Sequence, residues 1–157
     1  LDHPAMSDLL SKYSCSEAAD AFEALDRAIE SRVEGSSSRR SWTLLSGSMH
    51  LTPDVCGNRS PFGRADMTGV TSGITLETRS EAGLVSLYIA ALQALAYGTR
   101  LVVDHLNSAG YRIKELLLCG GGLSTNERFL GTLADVLQMP VLLPSEPEAG
   151  LLGAALL

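Results

Sequence analysis

Leu116-Leu117-Leu118-Cys119 runs straight into Gly120-Gly121-Gly122, and Leu123-Ser124-Thr125-Asn126-Glu127-Arg128-Phe129-Leu130 follows. This stretch has the residue types and spacing best suited to hold a ligand with backbone groups. The four apolar residues are too few for a helix and show no polar alternation, which predicts a strand covered on both faces. Three consecutive glycines open backbone angles forbidden to other residues and let N–H groups approach a ligand closely. Ser124 and Glu127 have the spacing of a capping box, so a helix is expected to start near Thr125 or Asn126, its unpaired amides and positive dipole end facing the turn. Strand, glycine turn and helix N-terminus together suit a nucleotide or another anion.

Two familiar nucleotide sites do not fit. A phosphate P-loop places Lys and then Ser or Thr after its last glycine, and here Leu123 follows. The dinucleotide fingerprint needs a third glycine where this chain has Asn126 and Arg128. A glycine-rich strand-to-helix turn that binds nothing is the competing structural reading.

Elements on either side must position that turn. From Glu81 onward the pattern alternates helix, strand, helix, strand, helix, which predicts a layered α/β domain with at least two parallel strands. A long helix is expected over about Ser80 to Ser108, opened by a Thr78/Glu81 capping box and closed at Gly110. Gln93 is its mid-helix amide, and His105 lies near its C-terminus, where a protonated imidazole is favourable. Phe129, Leu130, Leu133, Ala134 and Leu137 form the apolar stripe of the next helix, which must end before Pro140. Val141-Leu142-Leu143 reads as a short buried strand, and a final helix begins at Glu148.

Upstream, Ala18, Ala21, Phe22, Leu25, Ile29 and Val33 predict one amphipathic helix over about Ser16 to Val33. A polar hinge, 35–41, carries Arg39 and Arg40 as solvated charges. One or two strands are expected between Trp42 and Leu51, with His50 in them and no companion ligand at metal spacing. The segment from Thr52 to Gly73 is rich in turn formers, and so long an irregular loop usually serves a function or an interface. Arg59 carries the charge in this loop most in need of a reason; the ordinary one is a structural arginine tied to Asp54 or Asp66. His3 and Cys15 read as a solvated terminal residue and a small buried side chain.

Composition bounds the function. The 157 residues, 45% hydrophobic and 19% charged, fit one globular domain. A net charge of −6 and a pI near 5.0 argue against a nucleic-acid-binding surface. Cys15, Cys56 and Cys119 are too widely spaced for a disulfide framework or zinc site and suit a reducing cytoplasm. No run is expected to span a membrane, and no leader pattern is seen. Leu1 at the start and an apolar run at Leu157 give the expectation of a piece of a longer protein.

Several separated motifs occur in one order: Pro53, Gly57-Asn58-Arg59-Ser60-Pro61, Gly69, Gly73-Ile74-Thr75, then the GGGLSTN run at 120–126, Leu133-Ala134-Asp135-Val136-Leu137, Met139-Pro140-Val141, Glu148 and Gly153-Ala154-Ala155. In these the chain resembles the C-terminal domain of the FGGY carbohydrate kinases. Residues 53–157 carry the resemblance, and residues 1–52 look like a variable leading segment. Gln93 to Arg100 departs from the Glu-Gly pair most of the family carries and is closer to the eukaryotic FGGY-domain branch associated with ribulose and related pentuloses.

The resemblance implies a ribonuclease-H-like, actin-like ATPase lobe, the C-terminal half of a two-lobed sugar kinase. It implies ATP in the cleft, with Mg2+ held mainly outside this chain, and a sugar, a pentulose such as ribulose, mainly on an N-terminal lobe; a homodimer is compatible with it. Gly121 and Gly122 match glycines that approach the adenosine, Asn126 matches the polar residue beside adenine, and Gly120 and Ser124 flank them. Glu148 and Gly153 match a motif shaping the wall behind the nucleotide. The family's Asp-x-Gly-Thr phosphate loop and its base-bearing aspartate motif do not occur in this sequence. Phosphoryl transfer needs both substrates in line, a metal and usually that base. The chain alone is thus expected to be an incomplete kinase, and a non-catalytic nucleotide-binding or interaction module is the alternative.

Overall fold

The structure, a computed structural model, describes residues 4–13, 20–35, 41–146 and 148–157. His3, Cys15, Arg39 and Arg40 lie outside the described residues, as does the first turn expected of the early helix. The chain forms two compact units, Leu1–Leu51 with Val70–Ala91, and Thr52–Gly69 with Leu92–Leu157.

In the first unit, helix α1 (Pro4–Lys12) opens with a proline, whose fixed φ and missing N–H suit a first helical position. It buries Ala5, Met6 and Leu9. This helix was not expected, although Pro4 and the spacing of those three residues were its signal. Helix α2 (Asp20–Val33) buries Ala21, Ala24, Leu25, Ala28 and Ile29, one stripe of a 3.6-residue period. Phe22, expected in that stripe, is exposed; its ring is tilted against Tyr88 with centroids 5.9 Å apart.

The strand expected from Trp42 is instead a 3-10 helix, Ser41–Ser46. Trp42 and Ser46 are its buried residues while Leu44 between them is exposed, so burial does not follow the alternation of a strand. Gly47, at φ 59°, turns the chain out of it. Strand β1 (His50–Leu51) then pairs antiparallel with β2 (Thr71–Ser72), Leu51 opposite Thr71. Gly73, at φ 76°, lies so close to the Ser48 carbonyl that a Cβ would meet its oxygen at 2.1 Å.

Helix α3 (Glu81–Ser108) has the expected bounds within one residue. Its cap differs from expectation. The Ser80 hydroxyl accepts from Gly83 N at 3.2 Å and donates to the Glu77 carbonyl. Glu81 is not available for a capping box, because its carboxylate takes Lys12 Nζ on both oxygens at 3.1 Å and Arg32 Nη1 at 3.0 Å. The first residue of α3 thereby ties down α1 and α2. Leu84, Val85, Tyr88 and Ile89 bury the face above it. By length and composition α3 could cross a membrane, which corrects the expectation that no run is long enough. Half of its most apolar window is buried within the protein, as in a core helix.

The second unit contains the expected order. After α3 closes at Gly110, φ 100°, strand β3 (Leu116–Leu117) pairs in parallel with β4 (Val141–Leu142), Leu116 opposite Val141. Helix α4 (Glu127–Leu137) joins them and buries Phe129, Thr132, Leu133 and Leu137. It stops where Gln138 turns left-handed at φ 55°, two residues before Pro140. Helix α5 (Ala149–Leu156) ends the chain. β3 is not covered on both faces as expected: Leu117 is 60% exposed, and Leu142 and Leu143 of the β4 segment are also exposed. Only two strands make this sheet among the described residues, and α4 is the helix packed on β4.

Candidate functional site

Backbone hydrogen bonds hold both ends of the glycine turn. Leu116 N donates to the Pro140 carbonyl and Leu118 N to that of Leu142, so β3 is pinned to β4 up to the residue before Cys119. Gly120, at φ 108°, then reverses the chain. Gly121 is extended, φ −77° and ψ −176°, and Gly122, φ 63°, opens a short 3-10 helix, Gly122–Thr125. Positive φ is costly for any residue with a Cβ, so Gly120 and Gly122 are required by the turn itself. Gly121 is not. Its angles suit any residue, and a Cβ added there meets nothing within 4 Å.

Side chains lock the turn from inside. The Ser124 hydroxyl donates to the Gly120 carbonyl, and Thr125 Oγ1 donates to that of Gly122 at 2.9 Å. Ser124 therefore does not form the expected capping box with Glu127; its hydroxyl is spent closing the 3-10 turn. Asn126 is the cap of α4, its Oδ1 accepting from Phe129 N at 2.8 Å. At the far end of α4, Arg100 Nη1 donates to the Val136 carbonyl at 2.9 Å while its Nε bonds Asp104. In the sequence only its i,i+4 spacing to Asp104 signals this role of Arg100.

Gly120, Gly121, Gly122, Ser124 and Asn126 are thus brought together in one turn at a helix N-terminus, with all three glycines exposed. The arrangement can accept a flat or anionic group against bare backbone, with a helix dipole end beside it. Among the described residues no three His, Cys, Asp or Glu side chains gather to hold a metal.

Other candidates fall elsewhere. His50 in β1 and His105 in the last turn of α3 are exposed, and Gln93 is half-buried with its own interactions. Glu148 stands before α5 without a side-chain cap bond, and Gly153 lies on its exposed surface. Cys56 and Cys119 are free and exposed. Arg59 is not tied to Asp54 or Asp66. Asp54 takes the Asn58 amide at 2.6 Å, and Asp66 takes both Nε and Nη2 of Arg64. Arg64 holds the Asp66 carboxyl below its ordinary range by hydrogen bonding.

Residues 5–157 match the FGGY family of carbohydrate kinases, C-terminal domain. The chain is 43% identical over 114 residues to an FGGY carbohydrate kinase domain-containing protein of Xenopus laevis, covering 73% of this chain and 20% of that one. It is 37% identical over 100 residues to a ribulokinase of Bacillus licheniformis, covering 64% of this chain and 17% of that one. A glycerol kinase of Plasmodium falciparum, solved with ADP, superposes at a TM-score of 0.60 and 25% identity, over 95% of this chain and 26% of that one. The chain spans about a fifth of the length of such relatives. The α/β order, the parallel β3–β4 pair and these likenesses give the fold as an actin-like ATPase lobe. The chain belongs to the FGGY family of carbohydrate kinases, as its C-terminal domain.

Proposed function

We propose that this chain is the nucleotide-binding wall of an ATP-dependent carbohydrate kinase, and that the turn from Gly120 to Asn126 lies against the adenosine of ATP. The observation that carries this reading is Gly121. Its backbone angles do not require glycine and no described residue fills the space where a Cβ would sit, so a bound group is what a side chain there would obstruct. Gly122 shares the close approach, Asn126 stands beside the base, and Gly120 and Ser124 set the shape of the turn. The ADP of the Plasmodium glycerol kinase supports an adenine nucleotide.

In the whole kinase the γ-phosphate of ATP passes to a sugar hydroxyl. The likeness to a ribulokinase supports a pentulose such as ribulose as acceptor, and the likeness to a glycerol kinase shows how far acceptors range among relatives. Mg2+, the sugar and the base belong to an N-terminal lobe. The exposed leucines of β3, β4 and α5 offer the remainder of the kinase an apolar surface to pack on. Free, exposed Cys56 and Cys119 suit a cytoplasmic protein.

Calorimetry of the purified chain with ATP and with adenosine, followed by an assay with ribulose, tests this. Weak binding of both nucleotide and nucleoside without turnover is expected. Absence of adenosine binding overturns the assignment of the turn, and steady ATP-dependent phosphorylation overturns the assignment of the missing parts to another lobe.

A further inference from the structure

Within the loop 52–69, Asn58 and Arg64 exchange two backbone hydrogen bonds, each 2.8 Å, and close a five-residue tip of Arg59, Ser60, Pro61, Phe62 and Gly63. Asn58 also braces the tip with its side chain, which donates to Asp54 and accepts from Phe62 N at 3.0 Å. Gly57, at φ 81°, packs against Ala65 so closely that a Cβ would meet the Ala65 carbonyl oxygen at 2.9 Å. All of these bonds fix a segment that buries almost nothing, since Arg59, Ser60, Phe62 and Gly63 are exposed. Such order in an exposed tip lowers the entropy lost when a ligand binds it.

The tip is also one-sided in charge and hydrogen bonding. It contains a guanidinium, a hydroxyl and backbone amides but no carboxylate. The two acids that flank it, Asp54 and Asp66, are taken by Asn58 and Arg64, which removes the structural role that Arg59 would ordinarily fill. A planar, permanently charged fork without a partner among the described residues, on a pre-ordered tip, matches a phosphate in geometry and charge.

We propose that Arg59, with Ser60 beside it, holds a phosphate group of the kinase's ligands, in the same compact unit as the glycine turn. This rests on the nucleotide reading above for its ligand class. Two sources share the chemistry: the phosphates of the nucleotide, and the phosphate newly placed on the sugar.

Inorganic phosphate, ATP, adenosine and ribulose 5-phosphate are titrated into the chain and into Arg59→Gln and Arg59→Lys, with amide shifts of Ser60 and Gly63 as the local readout and melting temperature as a control. Loss of one charge-assisted hydrogen bond should weaken phosphate about tenfold in Arg59→Gln, leave adenosine unchanged, and be partly restored in Arg59→Lys. A parallel loss for ATP marks the nucleotide as the source; a loss for ribulose 5-phosphate alone marks the sugar. Phosphate that binds Arg59→Gln as well as the parent, or shifts neither amide, overturns the proposal. Adenosine binding is read separately, so the proposal can fail while the glycine turn keeps its nucleotide.

Discussion

Gly83 and Gly121 are both glycines with ordinary backbone angles, and they are glycines for opposite reasons. Gly83, in the first turn of α3, faces the protein's own backbone: an added Cβ would lie 2.4 Å from the Cα of Thr78 and 2.3 Å from the Glu77 oxygen. Gly121 faces open space. In one place the chain has used up the room that glycine provides, and in the other it has left the room empty. At Gly121, in an exposed turn at a helix N-terminus, that room is open to a group from outside the chain, a distinction invisible to a count of glycines in a sequence.

The sharpest way to break the comparison is to add one methyl at each. Ala in place of a helical glycine should gain at most about 1 kcal/mol of helix propensity, and less in a first turn such as that of Gly83. At Gly83 that gain must be set against overpacking onto rigid backbone, which costs about 1–3 kcal/mol or more. Gly83→Ala is therefore expected to lower stability by about 1–2 kcal/mol in urea denaturation. Gly121→Ala should be neutral or stabilise by about 0.5 kcal/mol through a less flexible unfolded chain, and yet weaken ATP. If Gly121→Ala destabilises and leaves ATP affinity alone, the open turn has a structural purpose after all.

The same contrast explains what was legible in advance. Long, strongly periodic elements came through: the bounds of α3, the end of α4 and the parallel strand order followed from apolar spacing and from Gly110 and Pro140. What failed was local hydrogen-bond choice. Ser124 and Glu127 have capping-box spacing, but a 3-10 turn after Gly122 shifts the helix start to Glu127, so Asn126 becomes the cap and the Ser124 hydroxyl goes to Gly120. Thr78 and Glu81 failed likewise, because Lys12 and Arg32, far away in sequence, claim the carboxylate. Arg59 and Asp54 are close in sequence, but Asn58 takes the acid first. Pairings of this kind depend on the tertiary arrangement, which spacing does not encode.

Glu81 gives a second test, of moderate size, on the closed side of the comparison. Burial pushes its carboxyl up, but hydrogen bonds from Lys12 and Arg32 outweigh this and hold it below the usual carboxylate value of 4.5. A depressed folded pKa contributes stability above the unfolded value and loses it as pH falls through the folded one. Lys12 is raised above 10.5 by its hydrogen bond to Glu81, so its contribution is present below that value and lost at still higher pH. Melting temperature should fall more steeply below about pH 4.5 in the parent chain than in Glu81→Gln. At neutral pH Glu81→Gln should cost about 1 kcal/mol or less, as expected for a partly exposed pair. Equal acid slopes in the two proteins would remove Glu81 as the anchor of α1 and α2.

A third test belongs to Asn126, and it decides how much of the open side is itself structural. Its Oδ1 caps α4 by accepting from Phe129 N, so Asn126→Ala removes a cap and should cost about 1 kcal/mol. Ser124 does not share that load, because its hydroxyl bonds Gly120. Asn126→Asp keeps the capping oxygen and removes the amide N–H groups, which separates the two roles. If the amide also meets the base, Asn126→Asp should hold the melting temperature near that of the parent while weakening ATP by about one hydrogen bond, up to tenfold. The amide donates where a carboxylate only accepts, so preference for ATP over GTP should change in Asn126→Asp as well. An Asn126→Asp variant with parental stability, parental ATP affinity and parental base preference would leave Asn126 as a helix cap, and the open side of the comparison would then rest on Gly121 and Gly122 alone.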